Sequence, residues 1–77
     1  MKVHVSLYAN LRQYSHGSEK SFPLSLSPGA TVKDLIAALE IPAGVKTVIL
    51  VNGRRAEENT RLEPEDKITL FPPIEGG

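Results

Sequence analysis

Val3, Val5 and Leu7 alternate with Lys2, His4 and Ser6 at the start of the chain. A period of two turns successive side chains to opposite faces, so a strand with one buried face is predicted here. Ala9 to Tyr14 can form a helical turn, and the polar stretch from Ser15 to Lys20, which contains Gly17, predicts a hairpin loop. Alternation resumes at Phe22, Leu24 and Leu26, but Pro23 has no N–H for a ladder, which predicts an edge strand ending at Pro28-Gly29. The period then changes. Val32, Leu35, Ile36 and Leu39 follow the i, i+3, i+4, i+7 rule of a helix, with Thr31 as N-cap and Asp34 in the capping-box position. Pro42 and Gly44 are expected to stop that helix. Val48 to Val51 is a compact apolar run, and Asn52-Gly53 after it signals a tight hairpin whose central residues both need positive φ. Arg54 to Ala56 returns as a short strand, and Leu62-Glu63-Pro64-Glu65-Asp66 reads as a turn. In the last strand Ile68 and Leu70 face one way, while Lys67, Thr69 and Phe71 face the other.

The order strand, strand, helix, strand, short strand, strand describes an α+β domain with one helix packed on one face of a sheet. Val3, Val5, Leu7, Ile68 and Leu70 should point towards the helix, and Tyr8 and Phe71 towards the uncovered face. If the first and last strands are parallel neighbours, the two aromatics share one end of the sheet, beside the point where the chain leaves it. Burying each of the helix's large apolar side chains contributes about 1.5–3 kcal/mol before the opposing chain entropy.

Composition narrows the function. A chain of 77 residues makes one small domain, without room for a large enclosed active site. It has no cysteine, hence no disulfide, thiolate metal site or thiol nucleophile. Nine basic and nine acidic side chains cancel, which argues against a role in neutralising nucleic-acid phosphates. No apolar run approaches a membrane span, and Met1-Lys2-Val3 leads straight into the strand pattern without a secretory signal, so the expected location is the cytoplasm. His4 and His16 lack the partners that define a metal site, and Ser6, Ser15 and Ser18 lack a base with an orienting acid. Glu57-Glu58 and Glu63, Glu65, Asp66 read as solvated turns, as does the pair Arg54-Arg55.

Reactive chemistry is expected instead at the last residues, Phe71-Pro72-Pro73-Ile74-Glu75-Gly76-Gly77. The chain divides into a body over residues 1–71 and a tail over 72–77. Pro72-Pro73 ends the strand and stiffens the exit, and glycine, lacking Cβ, lets backbone enter channels closed to other residues. Extended, the tail reaches at most roughly 20 Å, enough to put the Gly77 carboxylate into a partner's active site while the body stays outside.

These residues, together with the Val51-Asn52-Gly53 hairpin, the Leu62 to Asp66 turn and Tyr8-Ala9-Asn10-Leu11-Arg12 after the first strand, resemble the MoaD/ThiS family of small sulfur carriers. Nearly the full length fits, and Phe-Pro-Pro before the glycines is closest to the MoaD branch, the small subunit of molybdopterin synthase. The resemblance implies a ubiquitin-like β-grasp fold, with a mixed sheet of four to five strands and one main helix on one face. It implies that an E1-like adenylating enzyme (MoeB-like), using ATP, activates the carboxylate of Gly77 and that a sulfur donor converts it to a thiocarboxylate. A MoaE-like large subunit would then accept the tail, with Gly76 and Gly77 as cargo handle and Tyr8, Phe71, Pro72, Pro73 and Ile74 as docking contacts. The carrier binds no cofactor or metal itself, and no nucleic acid or membrane is implied. Its role is that of a sulfur-donating subunit without catalysis of its own.

Two positions depart from the family. Glu65 stands where the turn before the last strand often has glycine, and a positive φ there would cost on the order of 1 kcal/mol. Arg54-Arg55 stands where the molybdopterin branch often shows apolar residues. Other readings of the same tail are a ThiS-like carrier for thiamin thiazole synthesis and a ubiquitin-like modifier joined to lysines. A docking domain with an inert terminus is a further reading.

Overall fold

The computed structural model describes residues 1–15 and 21–73. Among these residues five strands and one α-helix are built from the segments that the pattern predicts. β1 (Lys2–Leu7) pairs antiparallel with β2 (Ser21–Ser25) and parallel with β5 (Lys67–Phe71). β5 in turn pairs antiparallel with β3 (Val48–Val51), which carries the two-residue β4 (Arg54–Arg55) on its outer side. The sheet order is β2-β1-β5-β3-β4, which puts β5, with Ile68 and Leu70 buried, at the centre between β1 and β3. Pro23 lies in β2 at the sheet margin, where a missing N–H leaves no ladder bond unmade. A 3₁₀-helix, Ala9–Tyr14, follows β1 and buries Leu11.

α1 (Val32–Ala38) begins as the sequence predicts. The Thr31 hydroxyl accepts from the Asp34 backbone N–H, and the Asp34 carboxylate accepts from the Thr31 N–H at 2.8 Å, so two otherwise orphan donors are satisfied. Its end differs from expectation, because it stops at Leu39, before Pro42 acts. Glu40 turns into the left-handed region at φ 59°, its N–H donates to the Ala37 carbonyl, and the Ile41 N–H donates to Ile36. This is a Schellman arrangement, which closes the last carbonyls and folds Ile41 back to be buried.

Val32, Leu35 and Leu39 of the helix side meet Val3, Val5, Leu7, Phe22, Leu24, Ile49, Ile68 and Leu70 of the sheet in one core, with Ile36 half-buried at its margin. Leu62 is also fully buried there, although the sequence presents it as part of a turn. Its backbone N–H donates to the Ala30 carbonyl, and Thr31 bridges Arg61, which swings the side chain inward. No buried polar side chain is left without a partner among the described residues.

Candidate functional site: the open face of the sheet and the tail exit

One face of the sheet carries the core, and the residues between core positions form the other. The parallel β1–β5 register sets His4 beside Lys67, Ser6 beside Thr69 and Leu7 beside Leu70. Tyr8 continues β1 in extended backbone, φ −120° and ψ 157°, and its N–H donates to the Leu70 carbonyl. The alternation therefore turns Tyr8 to the open face next to Phe71, as expected from the sequence. Tyr8 is 41% exposed, the most exposed large apolar side chain among the described residues, and Phe71 is half-buried. Across β3, Val48 faces Phe71 and Leu50 faces Thr69, both half-buried, and Arg55 of β4 faces Leu50.

The face is graded from end to end. Near the exit of β5 it is apolar, with Tyr8, Phe71, Val48 and Leu50. Pro72 and Pro73 leave from this end and line a groove with Asn10, Gly44, Val45 and Lys46. Pro73 also borders a second groove that contains Lys46 and Arg55 together with Glu57 and Glu58. Towards the β2 margin and at the opposite end the face is polar. The Ser6 and Ser21 hydroxyls share a hydrogen bond of 2.6 Å, and His4 Nε2 lies 2.8 Å from Glu65 Oε1.

Glu65 adopts φ 68°, the left-handed conformation considered for it from the sequence. Its N–H donates to the Lys2 carbonyl, and the His4 N–H donates to the Asp66 carbonyl, so the turn is tied to the start of β1. The hydrogen bond from His4 holds the Glu65 carboxyl below its ordinary value, against a smaller opposing effect of desolvation, with the charges of His4 and Lys2 adding to the lowering. Asn52, at φ 52° and followed by Gly53 at φ 83°, makes the expected hairpin turn. Its side-chain amide donates to Asp66 and its side-chain carbonyl accepts from the Lys67 N–H. This end is thereby braced, and the apolar end is left for contact.

The site residues Tyr8, Phe71, Pro72 and Pro73 thus come together at one end of the open face. Ile74, Gly76 and Gly77 lie outside the described residues, as does the loop over 16–20. Val48 and Leu50 were not singled out by sequence reading, although their place opposite Phe71 and Thr69 follows once β3 and β5 pair. Arg54 and Arg55 form β4, the short returning strand expected from the sequence, and both are solvent-exposed. Among the described residues no three histidine, cysteine or carboxylate side chains cluster as metal ligands. No described helix is long and apolar enough to cross a membrane.

Comparison with known proteins gives this architecture a context. The profile of the ThiS family matches residues 5–77. No curated protein matches the sequence. Among solved structures, a chain of the complex of subunits 1 and 2 of molybdopterin-converting factor from Helicobacter pylori is 28% identical, with 100% of both chains covered and a TM-score of 0.66. Small archaeal modifier protein 1 from Methanosarcina acetivorans is also 28% identical, with 99% of this chain and 96% of that chain covered and a TM-score of 0.73. A ubiquitin from Caldiarchaeum subterraneum, 21% identical over 100% of this chain and 98% of that one at a TM-score of 0.59, shares the fold. The five-stranded mixed sheet with its single α-helix is the ubiquitin-like β-grasp, and the chain belongs to the ThiS family of sulfur-carrier and ubiquitin-like proteins.

Proposed function

We propose that this protein is a sulfur carrier of the molybdopterin-synthase type, loaded at the carboxylate of Gly77 and otherwise chemically inert. The supporting observation is the convergence of Tyr8, Phe71 and the Pro72-Pro73 exit at the apolar end of an uncovered sheet face, in a chain of the ThiS family. A partner docked on that face has the tail delivered beside it. The body over residues 1–71 acts as a handle, and residues 72–77 act as the arm.

Carboxylates resist nucleophiles because their charge is repulsive and oxide is a poor leaving group, so activation precedes sulfur attack. A carboxylate oxygen of Gly77 attacks the α-phosphorus of ATP in an E1-like enzyme, and pyrophosphate leaves. Sulfur from a donor then attacks the carbonyl carbon of the acyl-adenylate, and AMP departs with the transferred oxygen. The resulting thiocarboxylate is presented to a MoaE-like large subunit, in which Gly76 and Gly77 thread the channel and Tyr8, Phe71, Pro72, Pro73 and Ile74 contact its mouth. The likeness to a chain of the Helicobacter pylori complex supports this branch. ATP belongs to the activating enzyme, and the carrier itself holds no cofactor. This chemistry belongs in the cytoplasm, where the activating enzyme has ATP.

A second reading is favoured by the equal identity to the Methanosarcina modifier protein, namely that the activated tail is joined to lysine amines. Incubation with ATP, the adenylating enzyme and a sulfur donor, followed by intact mass, separates the two. Exchange of one oxygen for sulfur is the expected result, whereas ladders of conjugates support the modifier. A strain lacking the protein that requires thiazole, with its molybdenum enzymes intact, would assign it to the thiamin branch.

A further inference from the structure

The outer edge of β3 is only partly covered. β4 pairs with Leu50 and Val51 alone, and the Ala56 N–H donates to the Ile49 carbonyl, so among the described residues no strand lies along Thr47 and Val48. A groove follows this edge, lined in part by the half-buried Val45, Val48 and Ala56. The chain is led into it. Phe71 pairs with Val48 on the inner side of β3, Pro72 and Pro73 line a groove with Val45 and Lys46, and Pro73 also lines the edge groove. The chain therefore crosses the start of β3 from its inner to its outer side. Charge is graded along the edge groove. Lys46 stands at the tail exit, because it borders both grooves, and Arg55 lies on β4. Glu57 and Glu58 follow β4, and Glu58 stands at the far end, where it also borders the surface of Ile36 and Ile41 beside α1. His4–Glu65 is the one ion pair among the described residues, so these two cations and two acids do not neutralise one another in pairs.

We propose that this edge groove is the resting dock of the chain's own last residues, with Ile74 on Val45, Val48 and Ala56 and the carboxylates of Glu75 and Gly77 held by Lys46 and Arg55. Four residues follow Pro73, and their reach of at most roughly 14 Å keeps Gly77 close to the groove that Pro73 already borders. Ile74 is their only apolar side chain and the first to arrive. An uncovered strand edge accepts extended backbone, and the side chains beside it select what lies there. Entry beside Lys46 brings the two carboxylates to the cations, while Glu57 and Glu58 repel them from further travel towards α1. The short tether gives the tail an effective concentration on the order of millimolar at the groove, so weak contacts suffice. Docking needs no chemistry at Gly77. Its consequence rests on the proposed function: the Ile74 side chain and the terminal carboxylate are withheld from partner enzymes until the tail lifts off the edge.

The test uses the full chain, isotope-labelled for NMR. Cross-relaxation between the Ile74 methyls and those of Val45 and Ala56 is expected, with the same intensity at every protein concentration. A carboxypeptidase then probes access to the terminus, with trimming followed by intact mass. Lys46→Glu and Arg55→Glu should each speed trimming roughly threefold at low salt and less at high salt, Arg55→Gln should do so more weakly, and Lys33→Glu beside α1 should leave it unchanged. Melting curves verify that each variant is folded, and if a reversal unfolds the chain the methyl contacts of the native protein decide alone. Absence of contact between Ile74 and the groove, reversals that trim like the native chain, or equal acceleration by Lys33→Glu would overturn the proposal. Contacts that vanish on dilution would also overturn it, assigning the groove to the tail of a second copy. Normal sulfur loading without these contacts refutes the dock alone, whereas contacts in a chain that never loads refute the proposed chemistry and leave the dock standing.

Discussion

Among the described residues four other than glycine hold positive φ, and they mark where the backbone is bent most sharply: Ala9 at 53°, Glu40 at 59°, Asn52 at 52° and Glu65 at 68°. Asn52 suits this conformation, since its short polar side chain bonds locally. Glu40 has no such compensation from its own type, and it occupies the helix position where glycine is favoured. Glu40→Gly is therefore expected to stabilise the fold by up to roughly 1 kcal/mol, read as a higher midpoint in urea unfolding. Glu65 is different, because its carboxylate is held by His4. A carboxyl group whose pKa is lowered in the folded state stabilises the fold above its unfolded pKa, and that contribution disappears as pH falls through the lowered value. Carbon NMR of the Glu65 carboxyl should show titration below the ordinary glutamate range, returning towards that range in His4→Ala. An unchanged titration in that variant would remove His4 as the principal cause.

At the scale of elements, the start of α1 is legible from sequence because two independent signals agree, the capping pair Thr31 and Asp34 and the spacing of Val32, Leu35 and Leu39. Thr31→Ala should lower stability by about 1 kcal/mol, with the loss seen in thermal melts. The end of the helix is less legible, since Pro42 and Gly44 are strong breakers while the turn at Glu40 carries no glycine to mark it. Leu62 was hidden for a similar reason. Turn residues follow it in sequence, and only the bridge between Thr31 and Arg61 explains why it faces inward. Leu62→Ala is expected to cost about 2–5 kcal/mol, as for other fully buried leucines, whereas a truly exposed turn leucine would cost far less. Chemical denaturation separates these outcomes.

For the molecule as a whole, a period of two placed Tyr8 and Phe71 on the open face, and the parallel pairing of β1 with β5 put them at the tail exit. That much of the site follows from alternation plus one topological assumption. The groove beside Pro73 did not follow, because Lys46, Arg55 and Glu58 are separated along the chain and come together only across strands and loops. Pairwise register, which sequence patterns specify weakly for the two-residue β4, was needed to see it. The open face is braced at the Asn52–Asp66 end and apolar at the tail end. Tyr8→Ala should therefore leave unfolding nearly unchanged, since Tyr8 is exposed, while slowing tail loading by the adenylating enzyme at limiting concentration. A large loss of stability in that variant would mean that the ring serves the fold instead.

Every stage of the proposed chemistry requires a free α-carboxylate directly after two glycines. The decisive measurement is intact mass after incubation with ATP, adenylating enzyme and sulfur donor, comparing the native chain with a form extended by one alanine beyond Gly77. The native chain should gain one sulfur in place of one oxygen, and the extended form, with an unchanged melting curve, should gain none. Equal sulfur loading of an extended form shown to be untrimmed would contradict the account.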